Sequence, residues 1–208
     1  MRMQSLNRLV LSGTLIAATA SCGDVARQGR APVFLVIDGL RAANGADPST
    51  FFSFLLSDVQ TLITEGGTCT PAAPCPTFFN DPGQVDLRIV PKDVGTITPT
   101  PLSTNNEVTI TRYRVSYRRA DGRNTPGIDV PYGFDGAVTG TVVSGSPLSL
   151  GFQLVRNVAK KESPLVQLVT SPTIITMIAD VIFYGQDRVG NDVSASGSIQ
   201  IDFGNFGD

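Results

Sequence analysis

The stretch EVTITRYRVSYRR, residues 107–119, constrains the fold more than any other part of the chain. A strand sends successive side chains to opposite faces, so a half-buried strand shows apolar residues at every second position. Val108 and Ile110 keep the even phase, while Tyr113, Val115 and Tyr117 keep the odd one. One flat strand cannot turn both sets toward the same core. The pattern predicts a long strand with a bulge or bend near Thr111 and Arg112, where it passes from one sheet edge toward the other. Arg112, Arg114 and Arg118 then share the outer face. Such a run is ordinarily a solvated charged face. The sharper alternative is a docking stripe for an anionic partner such as lipopolysaccharide.

The rest of the chain repeats this two-residue period. Val85, Leu87 and Ile89 alternate with Asp86 and Arg88. Leu148, Leu150, Phe152, Leu154 and Val158 alternate in the same way, as do Ile199, Ile201 and Phe203 against Ser198, Gln200 and Asp202. VFLVI at 33–37 is a continuous apolar run, which predicts a strand buried on both faces, and TMIADVIFY at 176–184 is apolar on both phases except at Asp180, which predicts a central strand. FFSFLLSDV at 51–59 reads as a strand behind the turn Asp47-Pro48-Ser49-Thr50, and Val138 and Val142 flank Gly140 in a short strand. Asp121-Gly122 is a hairpin signal. Residues 126–134 form an irregular loop, residues 160–164 turn the chain, and 165–169 follow. Gly and Pro are plentiful, at 21 and 14 residues, and Trp is absent. About eight to ten strands with turn signals every 8–12 residues define an all-β antiparallel sandwich with long loops.

The C-terminal segment 179–203, ADVIFYGQDRVGNDVSASGSIQIDF, resembles the last hairpin of bacterial immunoglobulin-like or fibronectin-III-like domains, with Asp187, Gly190 and Asn191 at the turn. The resemblance implies an immunoglobulin-like sandwich. It does not fix a function.

The N-terminus carries a different message. Arg2 and Arg8 flank a cationic start, and residues 9–20 are uncharged and mostly apolar, too short to span a bilayer as a helix. Ala20 and Ser21 precede Cys22. This segment resembles the signal peptide of bacterial lipoproteins, which implies an acylated Cys22, a palmitate-type anchor and a helical signal removed on export. The favoured Leu three residues before the cysteine is Thr19 here. Ordinary cleavage after Ala18-Thr19-Ala20 is the competing reading. The expected organisation is a signal at 1–21, a tether at 22–31 and a single sandwich domain at 32–208. Gly23, rather than Asp, directly follows the cysteine, which favours the outer membrane among lipoprotein destinations. There are three cysteines. If Cys22 is acylated, Cys69 and Cys75 form an even pair, and in an oxidising compartment they close a small proline-rich loop within 66–83.

Composition removes several function classes. The formal net charge is −2, and loss of Arg2 and Arg8 with the signal makes the chain more acidic. No concentrated basic surface speaks for nucleic acid. There is no histidine. That removes Ser-His-Asp and Cys-His nucleophilic machinery and the usual histidine zinc sites. No Walker A loop or dinucleotide fingerprint occurs.

The remaining candidates are oxygen donors. Asp187, Asn191 and Asp192 place three of them within six residues, the chemistry that calcium takes. The competing reading is that these side chains bond their own turn, with Gly190 supplying the positive φ. Asp129 and Asp135 form a weaker acidic pair. Asp38 and Asp180 are single carboxylates in apolar strands, each in need of an Arg. A carboxylate-based hydrolase would require two such groups to meet in a cleft. The expectation is a non-enzymatic, lipid-anchored envelope protein of structural or binding role with no cofactor. The alternative is a glycan- or protein-binding module, with calcium at most, whose ligand surface is formed by loops 66–83 and 123–136.

Overall fold

A computed structural model describes residues 29–92 and 102–206; Cys22, the signal-like segment and most of the tether lie outside the described residues. The strands are β1 (Val33–Asn44), β2 (Asp47–Phe52), β3 (Phe54–Asp58), β4 (Thr61–Ile63), β5 (Cys75–Thr77), β6 (Asp81–Pro91), β7 (Val108–Arg118), β8 (Phe134–Val142), β9 (Leu148–Val155), β10 (Ile175–Asp187) and β11 (Asp192–Gly204). They form a four-stranded sheet in the order β2-β1-β6-β9, a five-stranded sheet in the order β3-β11-β10-β7-β8, and a small β4-β5 ribbon. The larger sheet runs β11-β10-β7-β8, the G-F-C-C′ order of immunoglobulin-like sandwiches. The chain is all-β, and the two large sheets face each other across one core. Among the described strands the pairings are antiparallel, apart from β3 with β11, which is parallel.

The phase break in β7 is a bulge. Its pairing with β8 slips between Ile110 and Arg112, and its pairing with β10 slips at the same place. Val108, Ile110, Tyr113, Val115 and Tyr117 are all buried on one face as a result. Thr111 and Arg112 are consecutive exposed residues. The strand stays within one sheet, however, and does not cross to another edge.

Between the layers sits an aromatic cluster. Tyr113 and Phe183 of the larger sheet lie 6.2 Å apart, and each is 5.2 Å from Phe152 of the smaller sheet. The Tyr117 hydroxyl donates to the Leu154 carbonyl at 2.6 Å, and the Gln153 amide donates to the Tyr113 hydroxyl at 3.1 Å. Both tyrosines of β7 thus fasten the larger sheet to the backbone of β9. Gly83 makes room for this cluster: a Cβ there would lie 2.4 Å from the Phe152 ring.

Several expectations change. VFLVI is the first part of a longer β1 with a slip between Ile37 and Gly39. It is half-buried, not covered on both faces, because Phe34 is exposed while Val33 and Leu35 are buried. Residues 51–59 are two strands on different sheets, divided at Ser53. The turn expected at 47–50 is instead part of β2. Asp121-Gly122 lies in a long connection from β7 to its antiparallel neighbour β8, in place of a tight two-residue hairpin turn. Leu165–Val169 is a 3-10 turn, and Val158 belongs to a single helical turn, α1 (Asn157–Lys160), beyond the end of β9. Ala31, expected in the tether, is buried in the core.

Candidate functional site

Cys22 lies outside the described residues; the other residues singled out in the sequence each have a clear place. Cys69 and Cys75 form a disulfide beside the β4-β5 ribbon. Arg112, Arg114 and Arg118 do share the outer face of the larger sheet, but carboxylates stand among them. Arg118 meets Asp180 at 2.7 Å, and Arg112 and Arg114 each meet Asp135 at 3.4 Å. The Arg112 guanidinium also stacks 3.7 Å from the centre of the Tyr184 ring. This face is an ion-pair ladder, with two carboxylates set against three cations. Burial works against ionised Asp180, yet hydrogen bonds from Arg118 and Ser198 and the Arg118 charge together hold its carboxyl below the ordinary range.

The turn at 187–192 is closed upon itself. Asp187 accepts from the Val189 amide at 3.0 Å, the Asn191 amide at 2.8 Å and the Asn191 side chain at 2.7 Å. Gly190 has φ +88°, and Asp192 accepts from Gln186 at 2.8 Å. The carboxylate oxygens of Asp187 therefore point at donors of their own loop. Asp129 likewise accepts from the Thr125 amide at 3.1 Å. Asp38 and Asp180 each hold an Arg, Arg88 and Arg118 respectively. They lie on opposite outer faces of the sandwich and do not form a pair.

Two features were not legible in the sequence. The first is an apolar groove where the chain passes between sheets. β2 and β3 are edge strands of different sheets, so the outward side chains of the crossing have no neighbour strand to cover them. Phe52, Phe54 and Leu56 are all about half exposed, at 55%, 47% and 46%. With Thr50, Asn44 and Asp58 they line a cavity of about 420 Å³. Asn44 closes its polar end by donating to the Leu56 carbonyl at 3.2 Å and to Asp58 at 2.7 Å. A mostly apolar recess with a few placed polar groups is the usual form of a ligand or partner site. The run FFSFLLSDV carries this signal in its excess of aromatics, but a strand reading places alternate members in a core.

The second is a buried charged cluster at the same end of the molecule. Asp81 opens β6 and Lys160 closes α1, and both side chains are fully buried. Lys160 Nζ donates to Asp81 Oδ1 at 2.8 Å and to the Asp58 carbonyl at 2.8 Å. Ser57 Oγ donates to Asp81 Oδ2 at 2.6 Å, and the Gly45 amide donates to Oδ1 at 2.9 Å. Every oxygen of the carboxylate is thus engaged, as a buried charge requires. Burial pushes the Asp81 carboxyl up from its ordinary value, against the pull of Lys160 and the three hydrogen bonds. Burial also pushes the Tyr117 hydroxyl up, with the Asp81 charge adding to the effect. Nothing open to solvent reaches these groups, so no outside substrate does either.

Fold and surface together define an all-β sandwich module with an exposed apolar groove and an internal polar clasp. No protein-family model matches the chain, and no curated protein matches it. Among solved structures it is similar to the solution structure of a candidate late embryogenesis abundant (LEA) protein, at 11% identity and a TM-score of 0.40, covering 97% of this chain and 88% of that one. A likeness at that level assigns no function.

Proposed function

We propose that the chain is a non-catalytic, lipid-anchored protein of the bacterial cell envelope, at the outer membrane, whose sandwich serves by contact as a structural or binding element. The observation that carries this reading is the cysteine pairing. Cys69 and Cys75 are joined. With three cysteines in the chain, Cys22 is left as the odd one, directly behind an export-like segment. Disulfides persist outside the reducing cytosol, which supports export. A free thiol at Cys22 would be a liability there, whereas an acylated one is an anchor. Two or more acyl chains hold a protein lastingly at a bilayer where one does not.

Labelled palmitate supplied to a bacterial host tests the anchor. Wild-type chain takes up label and sediments with membranes, and Cys22→Ala does neither. Label that survives Cys22→Ala overturns the reading.

A second reading, a glycan- or protein-binding module, is favoured by the groove at Phe52, Phe54 and Leu56. Phe54→Asp in the anchored protein is expected to abolish crosslinking to an envelope partner while leaving the fold's melting temperature nearly unchanged. An unchanged crosslinking pattern removes the groove from this reading. A calcium titration that fails to raise Tm removes the metal from it.

A further inference from the structure

We propose that Lys160 and Asp81 condense within the folded chain to an intramolecular amide, an isopeptide bond between α1 and the start of β6. The attacking nitrogen already lies 2.8 Å from Asp81 Oδ1, and neither side chain is exposed. Reacting groups held at about 3–3.5 Å in a fixed geometry react as if at very high concentration. Because no solvent reaches the pair, the only electrophile available to this amine is the carboxyl it touches, and water cannot compete for it.

The protons and electrons balance without any outside reagent. In a low-dielectric site a salt-bridged pair lies close in energy to its neutral form, because desolvation penalises both charges. The Lys160 ammonium gives one proton to Asp81 Oδ1. The freed nitrogen lone pair attacks Cγ, forming the C–N bond and pushing the carbonyl electrons onto Oδ2. There the Ser57 hydroxyl, 2.6 Å away, receives the developing charge as an oxyanion donor does. The Asp58 carbonyl, 2.8 Å from Nζ, accepts an N–H of the attacking amine and orients its lone pair. Nitrogen then passes a second proton to Oδ1, the Cγ–Oδ1 bond breaks, and Oδ1 leaves as water. An uncharged amide remains. The raised Asp81 carboxyl agrees with this course, since the protonated acid is the electrophile that loses water.

The bond would join positions 79 residues apart and fasten β6 to the segment leaving its neighbour β9. It would also convert two buried charges into a neutral group, removing their standing desolvation cost.

Peptide mapping of the purified, folded full chain under reducing conditions tests this. The expected result is a branched tryptic peptide joining the segments that contain Asp81 and Lys160, lighter than their sum by one water. It should be absent from Lys160→Met and Asp81→Ala and diminished in Ser57→Ala. On a reducing denaturing gel the cross-linked wild type should migrate ahead of Lys160→Met. Linear peptides alone from wild type, with trypsin cutting after Lys160, overturn the proposal. That arm decides the matter even if the variants fail to fold.

Discussion

Two ion-pair sites in this sandwich use the same chemistry to opposite ends. At the Asp58 end, Asp81 and Lys160 are sealed between the sheets. On the outer face of the larger sheet, Arg118 and Asp180 meet at a similar distance but keep side-chain exposures of 48% and 34%. Each carboxylate also accepts a serine hydroxyl at 2.6 Å, from Ser57 and from Ser198. The difference is solvent. The outer pair exchanges water for a partner at almost no gain or loss. The inner pair has no water to fall back on, so its partners are obligatory. The distance between charges therefore says little about what a pair does, and burial says most of it.

The largest effect that separates the two comes from removing one buried partner. Measured against chain that has not cross-linked, Lys160→Met or Asp81→Ala should cost about 3–5 kcal/mol, because a lone charge or an unfilled site is left inside. Urea denaturation measures it. If either loss is small, the cluster is wetter than its burial implies. Next comes the double variant Asp81→Leu with Lys160→Met. Replacing both members by apolar groups is expected to recover most of that loss, and a double-mutant cycle reads the coupling. A strictly additive result would mean that the two side chains act separately. Outside, Asp180→Ala should cost about 1 kcal/mol or less, and the effect should fade with added salt. A loss as large as the inner one would erase the contrast.

The smallest effect is a difference in sign with pH. Asp180 titrates below its unfolded value. Its contribution is present above the unfolded carboxylate value of about 4 and is lost as pH falls through the lower folded value. Asp81 titrates above its unfolded value. Its contribution is fully present below the unfolded value and is lost as pH rises through the folded one. Asp180→Asn should therefore flatten the acid limb of the stability curve, measured by thermal melts across pH. Asp81→Asn should relieve a loss on the rising side in any population that is not cross-linked.

What could be foreseen from the sequence follows the reach of the forces involved. The bulge at Thr111 was legible because the core imposes its phase on adjacent residues, and Val108 to Tyr117 record the slip directly. Val85, Leu87 and Ile89 were legible for the same reason. The division at Ser53 was not, because a change of sheet depends on β1 and β11, far away in sequence. The clasp was least legible of all. Ser57 sat in an apolar run, Asp81 in a Gly/Pro-rich loop and Lys160 in a charged turn, and each local context gave a sufficient polar explanation. Only the fold brings the three together. The groove is hidden for a related reason: a strand reading of 51–59 does not reveal that β2 and β3 are edge strands, which leaves Phe52 and Phe54 about half exposed.

The parallel pairing of β3 beside β11 also has a mechanical side. β1 begins at Val33, at the end of the molecule opposite to Gly204, where β11 finishes alongside Asp58. Tension drawn between the two chain ends would load the hydrogen bonds of β3 and β11 sideways and all at once, instead of peeling them one after another. A sandwich tethered at its front end and pulled from its back would yield last along that seam.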